Sequence, residues 1–186
     1  MRKIDVNKQI AIKQSVLDLS QNIGLFNMTT AKIAKNAGVS PATIYLYYQD
    51  KTDLLSRLYE EVKTNLHDGL EKVINKDSSL DEQIQQMIFF TVEQYRTYPK
   101  EAYFMKTLWN NPELLDEKAL EFGNTLEDAL SDLLTRIQIS DEYIDVSRDV
   151  LDVFLSVPTL VLEVDTKMSH EKLQTISEMI IKAIKK

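Results

Sequence analysis

The chain has 186 residues and no cysteine, so disulfides, thiolate zinc sites, iron–sulfur clusters and thiol nucleophiles are excluded. It also has no apolar run close to the ~18 residues that a membrane span requires. The polar, basic stretch from Met1 to Gln14 lacks the apolar core of a secretory signal. We therefore expect a soluble cytoplasmic protein without membrane association.

Sequence patterns of common catalytic sites are absent as well. There is no GxGxxG, Walker A, GxSxG or HExxH pattern. Neither of the two histidines stands within an evident set of metal ligands. We expect no catalytic residues, no metal and no cofactor; a small helical enzyme would need a cluster of polar groups that the sequence does not reveal.

Charge is distributed unevenly along the chain. Residues 1–50 carry a net charge of +3, whereas the remaining residues carry −10. A polyanion would be attracted to the first segment and repelled by the second, which suggests a small basic nucleic-acid module on an acidic body. Ordinary variation of charge along a chain would give the same split. We expect one domain over residues 1–50 and a second over residues 51–186.

Apolar residues recur at helical spacing through most of the chain. Such stripes run from Leu55 to Val73, from Ile84 to Tyr98 and from Leu115 to Ile137. They predict an all-α fold of about nine helices, with one helix of about six turns across the first stripe. Capping residues predict further helix starts at Ser79, Asn111-Pro112 and Ser140.

The stretch from Val150 to Val164 is rich in Val and Leu and contains Pro158, which suits either a buried strand or a helix. Its length of ~15 residues and the lack of a pairing strand favour a helix. Because this helix is apolar on nearly all sides, a second subunit is expected to cover it, and the last helix of the chain is its expected neighbour. Packing within a monomer is the alternative. The predicted interface of the homodimer consists of Val150, Phe154, Val157, Val161, Leu173, Ile176 and Ile180.

The segment MTTAKIAKNAGVSPATIYLYYQDK, residues 28–51, carries the most specific pattern in the chain. Thr29 or Thr30 can cap a short helix, Gly38 provides a tight turn, and Ser40-Pro41 can start a second short helix. Two short helices joined by a turn of about three or four residues that contains glycine form a helix-turn-helix. In this motif the N-terminal part of the second helix enters the major groove of DNA.

Residues in and after this segment follow the spacing of a known family: Thr29-Thr30, Ile33-Ala34, Ala37-Gly38-Val39-Ser40, Thr43-Ile44-Tyr45, Tyr47-Tyr48, Lys51 and Leu54-Leu55. On these residues the chain resembles the DNA-binding signature of the tetracycline repressor (TetR) family of transcriptional regulators, over roughly residues 10–56. The resemblance implies an N-terminal three-helix DNA-binding domain, followed by a helical ligand-binding and dimerisation domain.

The helix-turn-helix pattern and the resemblance together indicate which residues contact DNA. Thr30 and Lys51 would bind phosphates, and Thr43 would touch a thymine methyl or a base edge. A simple helix cap is the alternative for Thr30, and an ordinary exposed aromatic for Tyr47. The full predicted set is Thr30, Lys32, Ser40, Pro41, Ala42, Thr43, Tyr45, Tyr47 and Lys51.

The second helix of the motif lacks the side chains that make the strongest base contacts. From Ser40 to Tyr48 there is no Arg, Lys, Asn or Gln. Specificity would then depend on apolar contacts, hydroxyls, water and DNA shape. Lys32, Lys35 and the arm that carries Arg2 and Lys3 would supply phosphate affinity, although a frayed terminus also explains the arm.

Seven of the 15 aromatic residues lie between Phe89 and Trp109, where they line either an apolar pocket or the core. The resemblance implies a pocket among the helices over roughly residues 79–165. The predicted ligand contacts are Met87, Phe90, Thr91, Tyr95, Tyr103, Met105 and Trp109.

These observations predict a homodimeric repressor that binds a near-palindromic double-stranded operator and is released by a partly apolar or aromatic small molecule. Repression and induction are what the resemblance implies. The alternative is a dimeric small-molecule or protein-binding module that has lost sequence-specific DNA binding, which the uncharged second helix and the acidic body favour.

Overall fold

The computed structural model describes residues 5–125 and 128–186, and helices dominate both ranges. The all-α prediction is confirmed, since the described residues contain no strand and only one isolated bridge, between Tyr143 and Lys185. In chain order the elements are α1 (Val6–Ile23), α2 (Thr30–Asn36), α3 (Pro41–Ile44), α4 (Lys51–His67), α5 (Leu70–Val73), α6 (Leu80–Thr97), α7 (Pro99–Trp109), a 3-10 helix (Pro112–Leu114), α8 (Glu117–Thr125), α9 (Ala129–Ile139), α10 (Arg148–Val164) and α11 (His170–Ile184). Across the described ranges, no helix is long and apolar enough to cross a bilayer.

The described ranges hold eleven α-helices, more than the predicted nine or so, because two apolar stripes are divided. The stripe from Leu55 to Val73 breaks at Gly69, whose φ of 90° is left-handed and ends the helical path. The stripe from Leu115 to Ile137 is split between α8 and α9, and its Leu126 lies outside the described residues. Asn111-Pro112 opens only a 3-10 turn.

The helix predicted to start at Ser140 does not form, whereas the start predicted at Ser79 does. Ser79 and Glu82 make both hydrogen bonds of a capping box. After Ser140 the backbone bonds to the end of α11 instead: the Ile144 N–H donates to the Ile184 carbonyl over 2.8 Å, and the Lys186 N–H donates to the Glu142 carbonyl over 2.9 Å. These backbone groups are therefore not free for a helix.

The chain divides into two compact units, and the division into functional domains after residue 50 stays a prediction. Unit 1 comprises Met1–Asn65 and Pro99–Thr125, and unit 2 comprises Leu66–Tyr98 and Leu126–Lys186. Helix α7 joins unit 1 because it packs against α1, where the Lys100 ammonium lies 2.5 Å from the Asp18 carboxylate.

Unit 2 has α6 at its centre, in contact with α5, α9, α10 and α11. Its core includes Leu173 and Ile180, which are 3% and 5% exposed. Both residues were predicted at the dimer interface; their side chains are buried in the core of unit 2, and a contact with a second subunit stays a prediction. The apolar spacing of α11 identifies a buried face but does not say which neighbour buries it.

Candidate DNA-binding interface

The helix-turn-helix of unit 1 forms where the sequence predicts it. Thr29, not Thr30, caps α2 by accepting a hydrogen bond from the Lys32 N–H over 3.2 Å. Ser40 caps α3 by accepting one from the Thr43 N–H over 3.3 Å. Gly38 lies in the turn between them with a φ of 67°. The wedge between the helices is filled by buried Ile33, Ala34 and Ile44.

The α3 helix continues into a further turn, and this extended segment has one outward side. The Tyr48 N–H donates to the Ile44 carbonyl over 3.0 Å, so Tyr45 to Tyr48 follow the path of the helix. Ile44 and Tyr48 are buried, one turn apart. The exposed positions on the opposite side are Pro41, Ala42, Tyr45 and Leu46, which we call the reading face.

Two pairs of hydroxyls connect residues at this interface. The Ser40 and Thr43 hydroxyls lie 2.9 Å apart, which adds a side-chain contact to the cap of α3. The Thr30 and Tyr45 hydroxyls lie 3.1 Å apart, so the first residue of α2 holds the ring of Tyr45 on the reading face. The relative positions of α2 and α3 are thus fixed by their exposed ends as well as by their buried wedge.

Thr43 and Tyr47 flank the reading face rather than lie on it, since both are half-buried. The Tyr47 hydroxyl donates to the Asp5 carbonyl and accepts from the Asp5 N–H, each over 3.2 Å. Tyr47 therefore joins residues 40–48, which we call the recognition segment, to the start of α1, and its contact with DNA remains a prediction. Leu46, which sequence reasoning missed, is 64% exposed. Its position four residues after Ala42 is the signal that could have identified it.

The cations predicted to bind phosphate differ in their surroundings. The Lys51 ammonium donates to the carbonyls of Leu25 and Met28, over 2.9 and 3.1 Å. Burial lowers the pKa of Lys51. Lys32 is exposed and donates to the Asn27 carbonyl over 2.8 Å. Lys35 is exposed as well, whereas Arg2 and Lys3 lie outside the described residues.

The predicted ligand contacts are divided between the two units. Met87, Phe90, Thr91 and Tyr95 all lie on α6 in unit 2, where Met87 is buried and the others are half-buried. The Thr91 hydroxyl donates to the Met87 carbonyl of its own helix over 2.9 Å.

The other predicted ligand contacts belong to α7 in unit 1. Met105 is half-buried, but Tyr103 and Trp109 are 42% and 59% exposed, so these two rings are not enclosed in the core of unit 1. The aromatic spacing of α7 does not distinguish its exposed positions from its buried ones.

The predicted interface residues on α10 lie at or near the surface. Val150 and Phe154 are 36% and 38% exposed, and Val157 and Val161 are half-buried. Ile176 on α11 is half-buried as well. Three further apolar residues of α10 are exposed: Val153, Leu160 and Val164. The helix therefore presents an unpartnered apolar stripe along its length.

Comparison with known proteins agrees with the helix-turn-helix of unit 1. Residues 19–58 match the family model described as bacterial regulatory proteins, tetR family. The fatty acid metabolism regulator protein of Bacillus subtilis is 30% identical over 81 residues, which are 44% of this chain and 42% of that protein. The nucleoid occlusion factor SlmA of Mannheimia succiniciproducens is 33% identical over 69 residues, which are 36% of this chain and 32% of that protein. The chain thus spans less than half the length of these curated relatives.

Solved structures share the fold along the whole chain. A TetR family transcription regulator from Marinobacter aquaeolei has a TM-score of 0.81 at 20% identity, covering 100% of this chain and 99% of that one. A TetR-family regulator from Haemophilus influenzae has a TM-score of 0.75 at 23% identity, covering 100% of both chains. At these identities the likeness extends to the fold alone.

Proposed function

We propose that this chain, which belongs to the TetR family of DNA-binding transcriptional regulators, is a ligand-responsive repressor that binds its operator as a homodimer. The observation that carries the proposal is the reading face: Pro41, Ala42, Tyr45 and Leu46 project together from a recognition segment that is capped and wedged in place. A rigid, exposed helix end of this kind is suited to the major groove. Such a regulator would act in the cytoplasm, where the DNA of a bacterial cell lies.

The apolar stripe on α10 supports the homodimer. Its residues recur every three or four positions from Val150 to Val164, and Val164 itself is 91% exposed. A contiguous exposed apolar surface on a soluble protein is typical of a protein–protein interface. A two-fold axis through this stripe would pair identical surfaces, as in most homodimers.

Two-fold symmetry determines the form of the operator. Two recognition segments related by such an axis would enter successive major grooves on one side of the duplex. The operator would therefore be a near-palindrome with half-sites about one helical turn, ~34–36 Å, apart.

A partly apolar small molecule is the proposed inducer. The half-buried Phe90 and Tyr95 on α6, next to buried Met87, are side chains of the kind that line apolar ligand sites. Release would require that the inducer bind the DNA-incompetent conformation more tightly, and operator DNA would then weaken inducer binding by the same factor.

The direct test is binding of the purified protein to labelled DNA from the region that flanks its own gene, beside a random library from which bound duplexes are enriched. Excess competitor DNA is present throughout. Sequence-preferring binding that weakens steeply between ~50 and ~200 mM salt is the expected result. Compounds that release the bound DNA would then identify the inducer.

Binding without any sequence preference would contradict the repressor. In that case the chain would be a dimeric small-molecule or protein-binding module on the same fold. An enriched sequence recovered from the library but absent from the flanking region would instead indicate an operator elsewhere in the genome.

A further inference from the structure

The recognition segment has few hydrogen-bonding groups in its side chains. From Ser40 to Tyr48 the only polar side-chain atoms are five hydroxyls. Specific base recognition by hydrogen bonds depends mainly on Arg, Lys, Asn, Gln, Glu or Asp, none of which occurs here.

Each of these hydroxyls is already engaged or buried. Ser40 and Thr43 are paired with each other, and Tyr45 is paired with Thr30. Tyr47 makes two hydrogen bonds to the backbone of Asp5. Tyr48 is only 2% exposed and faces the core. Each exposed pair of hydroxyls is therefore joined within the protein and keeps only one O–H donor for DNA.

Most of the exposed side-chain surface on the reading face is apolar. Leu46 is 64% exposed and Tyr45 is 56% exposed, and the Pro41 ring and the Ala42 methyl lie beside them on the same side. In the major groove the apolar group at a base edge is the C5-methyl of thymine, which apolar side chains contact.

Resting on the proposed function, we propose that the reading face recognises thymine C5-methyl groups, so that each operator half-site places T·A pairs opposite Ala42 and Leu46. Discrimination against C·G pairs would come from the missing methyl rather than from a lost hydrogen bond. The paired hydroxyls would hold this apolar surface rigid, because Thr30 fixes the Tyr45 ring at its edge.

The test removes the methyl without changing base pairing. Duplexes enriched from a random library by the full-length protein are resynthesised with single thymines replaced by deoxyuridine. Loss of the methyl at a contacted thymine is expected to weaken binding about fourfold, the equivalent of one buried methyl group. Conversely, such a thymine can be replaced by cytosine or by 5-methylcytosine. The protein should bind the duplex with 5-methylcytosine about fourfold more tightly than the duplex with cytosine.

A protein variant tests whether the reading face causes this dependence on the thymine methyl group. For the unmodified protein, the dissociation constant of the uracil duplex should be about four times that of the thymine duplex at each contacted position. Leu46→Ala should reduce this ratio towards one at a single position of the half-site. Ile139→Ala is the matched control, since Ile139 is 76% exposed at the end of α9 and outside the proposed interface. Its ratio should stay at about four.

The outcomes separate this inference from the function on which it rests. An enriched sequence whose thymines tolerate uracil within about twofold would overturn methyl recognition and leave the regulator intact. An enriched sequence that lacks thymine where the protein contacts the major groove would do the same. If no sequence is enriched, both proposals fail.

Discussion

The hydroxyls of Thr30 and Tyr45 lie 3.1 Å apart, so the first residue of α2 and the reading face share one hydrogen bond. Both residues were expected to contact DNA separately, Thr30 through a phosphate and Tyr45 in the groove. Because the two hydroxyls are paired, a DNA contact made by one residue restricts the position of the other side chain. A phosphate held at Thr30 would thereby help to fix the orientation of the Tyr45 ring.

Removal of the Tyr45 hydroxyl should weaken DNA binding more than it weakens the fold. Tyr45→Phe keeps the ring but leaves it untethered, and the exposed Thr30 hydroxyl can bond to water instead, so the fold should lose little stability. We expect a loss of affinity of about three- to tenfold with a nearly unchanged unfolding midpoint. Thr30→Val should have a similar effect, and the double variant should lose less than the sum of the two. Additive losses in operator affinity would show that the pairing is irrelevant to binding.

Lys51 should prove to be a structural residue whatever its contact with DNA. Lys51→Met removes the donor for the carbonyls of Leu25 and Met28, which connect α1 to α2. Urea unfolding should show a loss of about 1–3 kcal/mol, because both carbonyls lose the ammonium donor and the Leu25 carbonyl keeps only the Met28 N–H, over 3.4 Å. Lys35→Met is the matched control: Lys35 is exposed on α2, so its loss should lower DNA affinity and leave stability unchanged. Equal stability of the two variants would contradict the structural role of Lys51.

A charge on the α10 stripe should prevent dimerisation. Phe154 is 38% exposed, so Phe154→Glu can keep its carboxylate in water in the monomer but would bury it in a dimer. Sedimentation equilibrium should show a dimer for the unmodified protein and a monomer for this variant. Ile139→Glu, on an exposed position of α9, should remain dimeric. A monomeric unmodified protein, or a variant that dimerises as well as the control, would exclude α10 as the interface.

Unit 2 should lose stability in acid through Asp81. Burial of Asp81 favours its protonated form, but hydrogen bonds from Lys185 and Tyr143 outweigh it and lower the pKa of the carboxyl below its usual 3.8. A lowered folded-state pKa gives stability that is present above the unfolded value and disappears as the pH falls through the folded value.

Asp81→Asn should therefore be less stable than the unmodified protein at about pH 6, and the difference should shrink by about pH 2. The comparison requires urea unfolding at each pH. Asp141→Asn, an exposed change on the neighbouring loop, should show no such trend. A difference between Asp81→Asn and the unmodified protein that is constant with pH would refute the ionic role of Asp81.

Much of unit 1 could be predicted because its signals are local. The caps at Thr29 and Ser40 and the turn at Gly38 are determined by residues close together in the chain, and the structure has all three. The surroundings of Tyr47 could not be predicted in this way. Tyr47 was expected to face DNA, yet its hydroxyl is bound to Asp5, 42 residues earlier, and no local pattern encodes that pairing.

The differences between prediction and structure in unit 2 have the same origin. A stripe on α11 correctly marks Leu173 and Ile180 as buried, but whether a neighbouring helix or a second subunit buries them depends on tertiary packing. The segment after Ser140 has good capping residues, but its backbone groups form hydrogen bonds with the end of α11 instead. Competition from partners distant in sequence overrides local preference in both cases.

The most direct test of the account is the affinity of Ala42→Glu for the enriched duplex at ~0.15 M salt, with excess competitor DNA. Ala42 is exposed in the first turn of α3, where a carboxylate favours the helix, so the fold should be preserved. Like-charge contact with DNA should weaken binding by about tenfold or more. Ile139→Glu, with the same added charge on α9, should bind as tightly as the unmodified protein. Equal binding by both variants would show that the reading face does not contact DNA.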